Sequence, residues 1–264
     1  MSLLIWIILF CLLGGALSVL AASVFLLLSE DIRNRMLPHF VSFAIGALLG
    51  AAFLALLPHA LEEAHGVDVH NIGLTVLIGV LAFFLLEKMV LWRHCHSEHC
   101  EAHTPEEAFE AGSKRSTISM ILIGDGMHNL VDGVLIAAAF LTDIHLGVVT
   151  SLAVAAHEIP QEVGDFAILL HSGLSRTWAF IMNMLSSLTT VIGGIVAYYS
   201  LQGIQAIVPY ILAIAASSFI YIAVADLIPG LHRRTHIHAT LQQIILIVAG
   251  VTVIYLAHST LHQG

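Results

Sequence analysis

Charge is what this chain of 264 residues is short of. Asp, Glu, Lys and Arg together make up 10% of it, and only nine residues are Lys or Arg. None of the nine lies between Arg115 and Arg176. With a net charge of -9, there is no basic patch of the kind that nucleic-acid binding needs. Three cysteines, Cys11, Cys95 and Cys100, do not make a disulfide framework. No positive stretch precedes the first apolar run, so residues 3–28 read as a retained first helix rather than a signal peptide. No soluble domain, low-complexity linker or short-period repeat is visible.

Apolar residues fill the chain instead. They make up 58% of it, and the mean hydropathy is +0.94. That is the composition of a polytopic membrane protein. Apolar runs and loop punctuation predict an all-α integral membrane fold with eight transmembrane helices, at about 3–28, 38–61, 72–92, 116–140, 146–171, 177–200, 206–229 and 240–262. All nine basic residues then fall at odd-numbered connections, which the positive-inside rule places in the cytoplasm. Both termini are therefore expected to be extracytoplasmic. The chain reads as one transmembrane domain, 1–264, with a cytoplasmic His-rich loop at 94–115. Its small size and the lack of a long external domain point to a bacterial inner (plasma) membrane.

Two stretches conflict with this apolar background. They are His128-Asn129-Leu130-Val131-Asp132-Gly133 and His157-Glu158-Ile159-Pro160-Gln161-Glu162-Val163-Gly164-Asp165. Five carboxylates lie in or beside them: Asp125, Asp132, Glu158, Glu162 and Asp165. Each costs about 2.5–3.5 kcal/mol at mid-bilayer, so together, unrelieved, they would cost on the order of 12–18 kcal/mol. That exceeds a typical domain stability. With no Lys or Arg nearby, the relief is protonation or a bound metal cation.

Helical geometry gathers these groups. At about 100° per residue, Asp125, His128, Asn129 and Asp132 fall within roughly 100° of one another, and His157, Glu158, Gln161, Glu162 and Asp165 within roughly 140°. Two facing stripes would form a buried lane of imidazole, amide and carboxylate. Pro160 cannot donate to the carbonyl of Ala156, which loosens the ladder beside His157. Gly133 and Gly164 would permit close helix approach. Asn183, Ser186, Ser187, Thr189 and Thr190 of the sixth span read mostly as helix-packing groups, with Asn183 within reach of the lane. Glu87 and Lys88 read as snorkelling or paired, and Asp226 as solvated.

Seventeen histidines stand out. The segment His94-Cys95-His96-Ser97-Glu98-His99-Cys100-Glu101-Ala102-His103 holds four imidazoles and two thiols in ten residues. These donors suit zinc and other borderline or soft metals. Their spacing matches no closed zinc finger, so His94, Cys95, His96, His99, Cys100 and His103 read as a loose accessory metal trap. On the outer side, Pro58-His59-Ala60-Leu61-Glu62-Glu63-Ala64-His65 reads either as a polar cap or as a vestibule that gathers cations. The last span ends outside with His258 and His262.

Four functions compete for the two stripes. A divalent-metal transporter uses imidazole and carboxylate one helical turn apart, with partly weak oxygen ligands so that the ion is released. An intramembrane zinc-dependent hydrolase would use His157-Glu158 as the start of the H-E-x-x-H signature, but Gln161 stands where its second His belongs. A haem carrier would use His128 and His157 but not five nearby acids. A structural or receptor protein with a protonated polar core would leave the loop histidines unexplained.

At this point HNLVDG in the fourth span and HEIPQEVGD in the fifth resemble the ZIP (Zrt/Irt-like) metal transporters, nearest the LIV-1 branch. The resemblance covers nearly the whole chain, including the His-rich loop between spans three and four. It implies transport of zinc, and in some members iron, manganese or cadmium, into the cytoplasm, with Zn2+ as the transported and bound ion and no organic cofactor. By motif, His128, Asn129, Asp132, His157, Glu158 and Gln161 would be ligands of a two-metal site, with Glu162 assisting. The LIV-1 pattern usually has a second His where Gln161 stands, and an amide oxygen binds zinc more weakly than an imidazole. The family also suggests an elevator-like or rocking access change and a homodimer. The expected partners are divalent metal ions and the lipid bilayer, not nucleic acid.

Overall fold

The computed structural model describes residues 2–63, 68–94, 114–232 and 236–262. These residues form eight long helices in chain order: α1 (Leu3–Phe25), α2 (Glu30–Glu62), α3 (Val69–His94), α4 (Lys114–Thr142), α5 (Ile144–His171), α6 (Arg176–Leu201), α7 (Val208–His232) and α8 (Ile237–His262). Among the described residues, seven are long and apolar enough to cross a membrane, and α5 is not among them. The reason is its polar stripe, which interrupts the apolar run from His157 to Asp165. Packing makes that stripe tolerable. α5 is touched by α1, α2, α4, α6 and α8, and 14 of its 28 residues are buried. Ionisable groups in a membrane protein belong on such an interior helix.

The helices extend beyond their apolar runs. α2 starts at Glu30, not near residue 38, and runs through Pro38. Ser29 stands at its N-cap and Glu30 and Asp31 fill its first turn, where acidic groups complement the helix dipole. Arg33 and Arg35 therefore lie on a helix rather than in a connection. Asp143 is the whole link between α4 and α5, and its carboxylate accepts from the backbone N–H groups of His145 and Leu146 at 2.8 and 3.0 Å. α2 and α7 each contain a π-helical stretch, Ala52–Leu56 and Ile222–Leu227. Each stretch ends just before a proline, Pro58 or Pro229, whose missing N–H disturbs the regular ladder.

Two contacts bring backbones together where only glycine fits. A Cβ on Gly133 of α4 would sit 1.9 Å from the carbonyl oxygen of Thr190 on α6. A Cβ on Gly46 of α2 would sit 2.0 Å from that of Ile247 on α8. Gly164, expected at a close approach, has nothing within 4 Å of its Cβ position. The apolar core occupies the half of the molecule beyond the α4–α5 polar stripes, towards the α4–α5 link. Leu135, Ile136 and Phe140 pack there against Leu146 and Val149, with Leu48, Leu56 and Phe219. The opposite half holds a smaller apolar cluster of Val19, Ile121, Phe166, Leu169 and Ala179 beside a cavity.

Candidate metal centre

His128 and Asp132 lie one turn apart on α4, and His157 and Glu158 are adjacent on α5. The structure brings these four together, with ligand atoms all within 4.8 Å of one another. The four atoms form a compact, distorted tetrahedral quartet. Nε2 of His128 lies 3.2 Å from Nε2 of His157. Across the helix pair, His128 Nε2 is 3.3 Å from Glu158 Oε1, and His157 Nε2 is 3.3 Å from Asp132 Oδ2. Within each helix the corresponding distances are 3.7 Å.

Hydrogen bonding selects what these atoms present. His157 Nδ1 lies 3.0 Å from the carbonyl oxygen of Ala153, so that nitrogen carries the proton and donates it. Nε2 of the neutral ring is then a lone-pair donor, as a metal-ligating histidine requires. The four carboxylate oxygens of Asp132 and Glu158 are buried and make no hydrogen bond. Two imidazoles and two carboxylates converging within 4.8 Å is an arrangement that a dication stabilises. Imidazole with carboxylate suits zinc, iron or manganese rather than calcium or magnesium.

The other sequence candidates lie around this quartet. Asn129 is fully buried and faces α6. Its amide N–H donates to the backbone oxygen of Asp125 at 3.1 Å and to Oδ1 of Asp125 at 2.8 Å, while its own Oδ1 accepts from the Thr190 hydroxyl at 2.7 Å. Ser186 donates to the other Asp125 oxygen, and Thr189 to the Gly126 carbonyl at 2.7 Å. Ser186, Thr189 and Thr190, read from the sequence as packing groups, thus stitch α6 to the polar stripe of α4. Glu162 is fully buried on α5 with Asn183 of α6 beside it. Gln161 lines a cavity whose wall also includes His128. Cys95, His96, His99, Cys100 and His103 lie outside the described residues, as does the side chain of His94.

That cavity, of about 320 Å³, extends from His128 into the half away from the α4–α5 link. Glu87, Asp125, Gln161, Asp165, Tyr221 and Asp226 are on its walls, and no Lys or Arg is among its described lining residues. Glu87 accepts from the Tyr221 hydroxyl across the α3–α7 contact instead of pairing with Lys88. The cavity role of Glu87, Tyr221 and Asp226 was not legible in the sequence. Tyr221 precedes the π-helical stretch and Asp226 lies within it, so α-helical spacing does not describe their relative placement. On the opposite side the Phe219 ring packs against His157, with the centroids 6.2 Å apart.

Comparison with known proteins gives the family. The profile of the family described as ZIP Zinc transporter matches residues 1–108 and 91–258. The zinc transporter ZIP13 of Pongo abelii is 32% identical over 232 residues, covering 83% of this chain and 66% of that protein. The ZIP13 protein of Gallus gallus is 32% identical over 281 residues, covering 88% and 77%. The human zinc transporter ZIP4 is 31% identical over 258 residues, covering 76% and 40%. The chain thus spans about two thirds of the orangutan protein's length and less than half of the human one's. Nothing in these matches supports an intramembrane hydrolase. The chain belongs to the ZIP zinc transporter family, an all-α integral membrane family of divalent-metal transporters rather than enzymes.

Proposed function

We propose that this chain carries divalent metal, zinc first, into the cytoplasm, with Zn2+ as its substrate. His128, Asp132, His157 and Glu158 are the core ligands. Asn129, Gln161 and Glu162 assist as the site loads and empties, Gln161 from the cavity wall. The observation that carries this reading is the convergence of two imidazoles on two buried, unpartnered carboxylates between α4 and α5. Iron, manganese and cadmium are the further substrates that this donor set suits. The basic residues place the cavity on the cytoplasmic side and both termini outside. The acidic wall then draws the released ion inward, while the apolar half around Phe219 holds the outer path closed.

The chain is read as one transporter unit, 1–264, with motifs nearest the LIV-1 branch. The His-rich segment collects or senses arriving metal on the cytoplasmic side. Removing residues 94–103 then alters apparent affinity or regulation and leaves uptake measurable; complete loss of uptake would refute an accessory role. A homodimer rests on the family resemblance alone. Small size favours a bacterial inner membrane, but the curated relatives that match come from vertebrates, a nematode and a yeast and lend that no support.

Uptake by reconstituted vesicles tests the main reading. Zinc enters vesicles holding the unaltered chain. His157→Ala lowers uptake by more than about tenfold, since even partners one shell removed from a metal are worth 10–100-fold. Undiminished uptake by that variant, with the protein present in the membrane, would sink the ligand assignment.

A further inference from the structure

Inside a bilayer, a polar group that no water reaches must find its partner in the protein. Among the described residues, the unpartnered carboxylates of Asp132, Glu158 and Glu162 and the unpartnered amide of Asn183 lie in or beside the metal centre. Thr150 has no such place. It stands in the outer half of α5, is fully buried, and its Oγ1 has no hydrogen-bond partner among the described residues.

The orphan is out of character for a helical hydroxyl. Ser and Thr commonly turn back to the carbonyl one turn earlier. Thr142 does so to Ala138 at 2.9 Å, Ser151 to Gly147 at 2.7 Å and Ser172 to Ile168 at 2.8 Å. Thr150 makes no such bond to Leu146. Its neighbours along α5, Leu146, Val149, Ala153 and Val154, are fully buried and belong to the apolar core. A valine would fill the same space and leave no donor unsatisfied. An unsatisfied hydroxyl weakens the state that buries it by a factor of about 5–150.

Position gives the orphan its meaning. Seven residues separate Thr150 from His157, so the two share one face of α5 within about 20° and stand about 10.5 Å apart along the axis. The way from the α4–α5 link to the ligands is otherwise apolar. α4 lines it with Leu135, Ile136 and Ala139, all buried, and Phe219 of α7 packs against His157. Ser151 stands at the same level as Thr150, but its hydroxyl is already engaged within α5. An ion arriving from outside reaches His157 only when this packing parts. The parting surface includes the α5 face that carries Thr150. Opening then gives the hydroxyl water, and closure takes that water away. A group equally satisfied in both states would shift nothing; this one is satisfied in the open state alone.

We propose that Thr150 is a positioning residue of the outer path. Its hydroxyl is unsatisfied while the apolar half is packed and hydrated when that half parts, so it tilts the chain towards the outward-open state and speeds loading of the quartet. It acts through this balance and is not a metal ligand. The inference rests on the transport reading above.

Thr150→Val removes the hydroxyl and keeps the branched shape. Three quantities are measured on the purified full chain: metal-free thermal unfolding, equilibrium Zn2+ binding, and uptake by reconstituted vesicles at saturating zinc. The variant is expected to unfold at a higher temperature, to bind zinc as the unaltered chain does, and to take it up at least about fivefold more slowly. A residue that served packing alone would lower stability and uptake together. Ser151→Ala, which removes a hydroxyl that already has a partner, is the control and is expected neither to gain stability nor to slow. An unchanged or lower unfolding temperature for Thr150→Val overturns the proposal, as does undiminished uptake, weaker zinc binding, or the same pattern in the control. Absence of uptake by the unaltered chain sinks the transport reading and this inference with it; equal uptake by the unaltered chain and Thr150→Val sinks this inference alone.

Discussion

Nε2 of His128 and Nε2 of His157 stand 3.2 Å apart, although 29 residues separate them in the chain. A proton on His128 Nε2 can bridge the two rings as an N–H···N hydrogen bond, and a cation that takes both lone pairs can replace that proton. The contact places the two polar stripes in register, so that each imidazole lies nearer to the carboxylate of the other helix than to that of its own. The site belongs to the helix pair rather than to either helix.

Glu158→Gln separates the site's metal binding from its contribution to folding. The amide removes a buried charge that has no hydrogen-bond partner. Without metal, the variant is expected to resist heat at least as well as the unaltered chain, because relieving an unpaired buried charge is neutral or stabilising. With zinc the order reverses. A ligand at a hundredfold excess over its Kd stabilises by about 2.7 kcal/mol, and the variant loses most of that. Thermal unfolding with and without zinc checks both halves. Equal zinc-induced shifts in the two proteins would rule Glu158 out as a ligand.

Gln161→His tests the position where this chain departs from the usual LIV-1 pattern. Gln161 stands one turn beyond His157 and lines the cavity. An imidazole there offers the leaving ion a stronger donor than the amide. Zinc is expected to bind about tenfold more tightly, a gain of about 1.4 kcal/mol, and to leave more slowly. Uptake at saturating zinc falls accordingly. Weaker binding, or faster uptake, would show that Gln161 is not on the release path.

Gly133→Ala tests the seam that holds α4 against α6. The added methyl would sit 1.9 Å from the carbonyl oxygen of Thr190. The neighbour is backbone, so the helices must separate, and overpacking of this sort costs about 1–3 kcal/mol or more. Separation also strains the Asn129–Thr190 and Asp125–Ser186 bonds behind the ligand quartet. Lower thermal stability together with weaker zinc binding is expected. Gly164→Ala, where the Cβ meets nothing within 4 Å, serves as the control and leaves stability nearly unchanged. Equal effects of the two changes would contradict the close packing.

The amino-acid sequence by itself determined the class and the chemistry. Apolar runs of this length have no other stable use, and acids inside them without basic neighbours require a cation or a proton. His128 and Asp132 were legible because they lie one turn apart on one face, and His157 and Glu158 because they share one polar stripe, both local properties. The tertiary structure decided what lies between helices. It turned Asn129 towards Thr190, placed Gln161 on the cavity wall, and enlisted Ser186 and Tyr221, whose partners are 61 and 134 residues away. It also set His59 against His258, from opposite ends of the chain. Spacing along one helix tells which face a group occupies. Which group faces it across the gap depends on backbone contacts such as Gly133 with Thr190 and Gly46 with Ile247, and those exist only once the helices have packed.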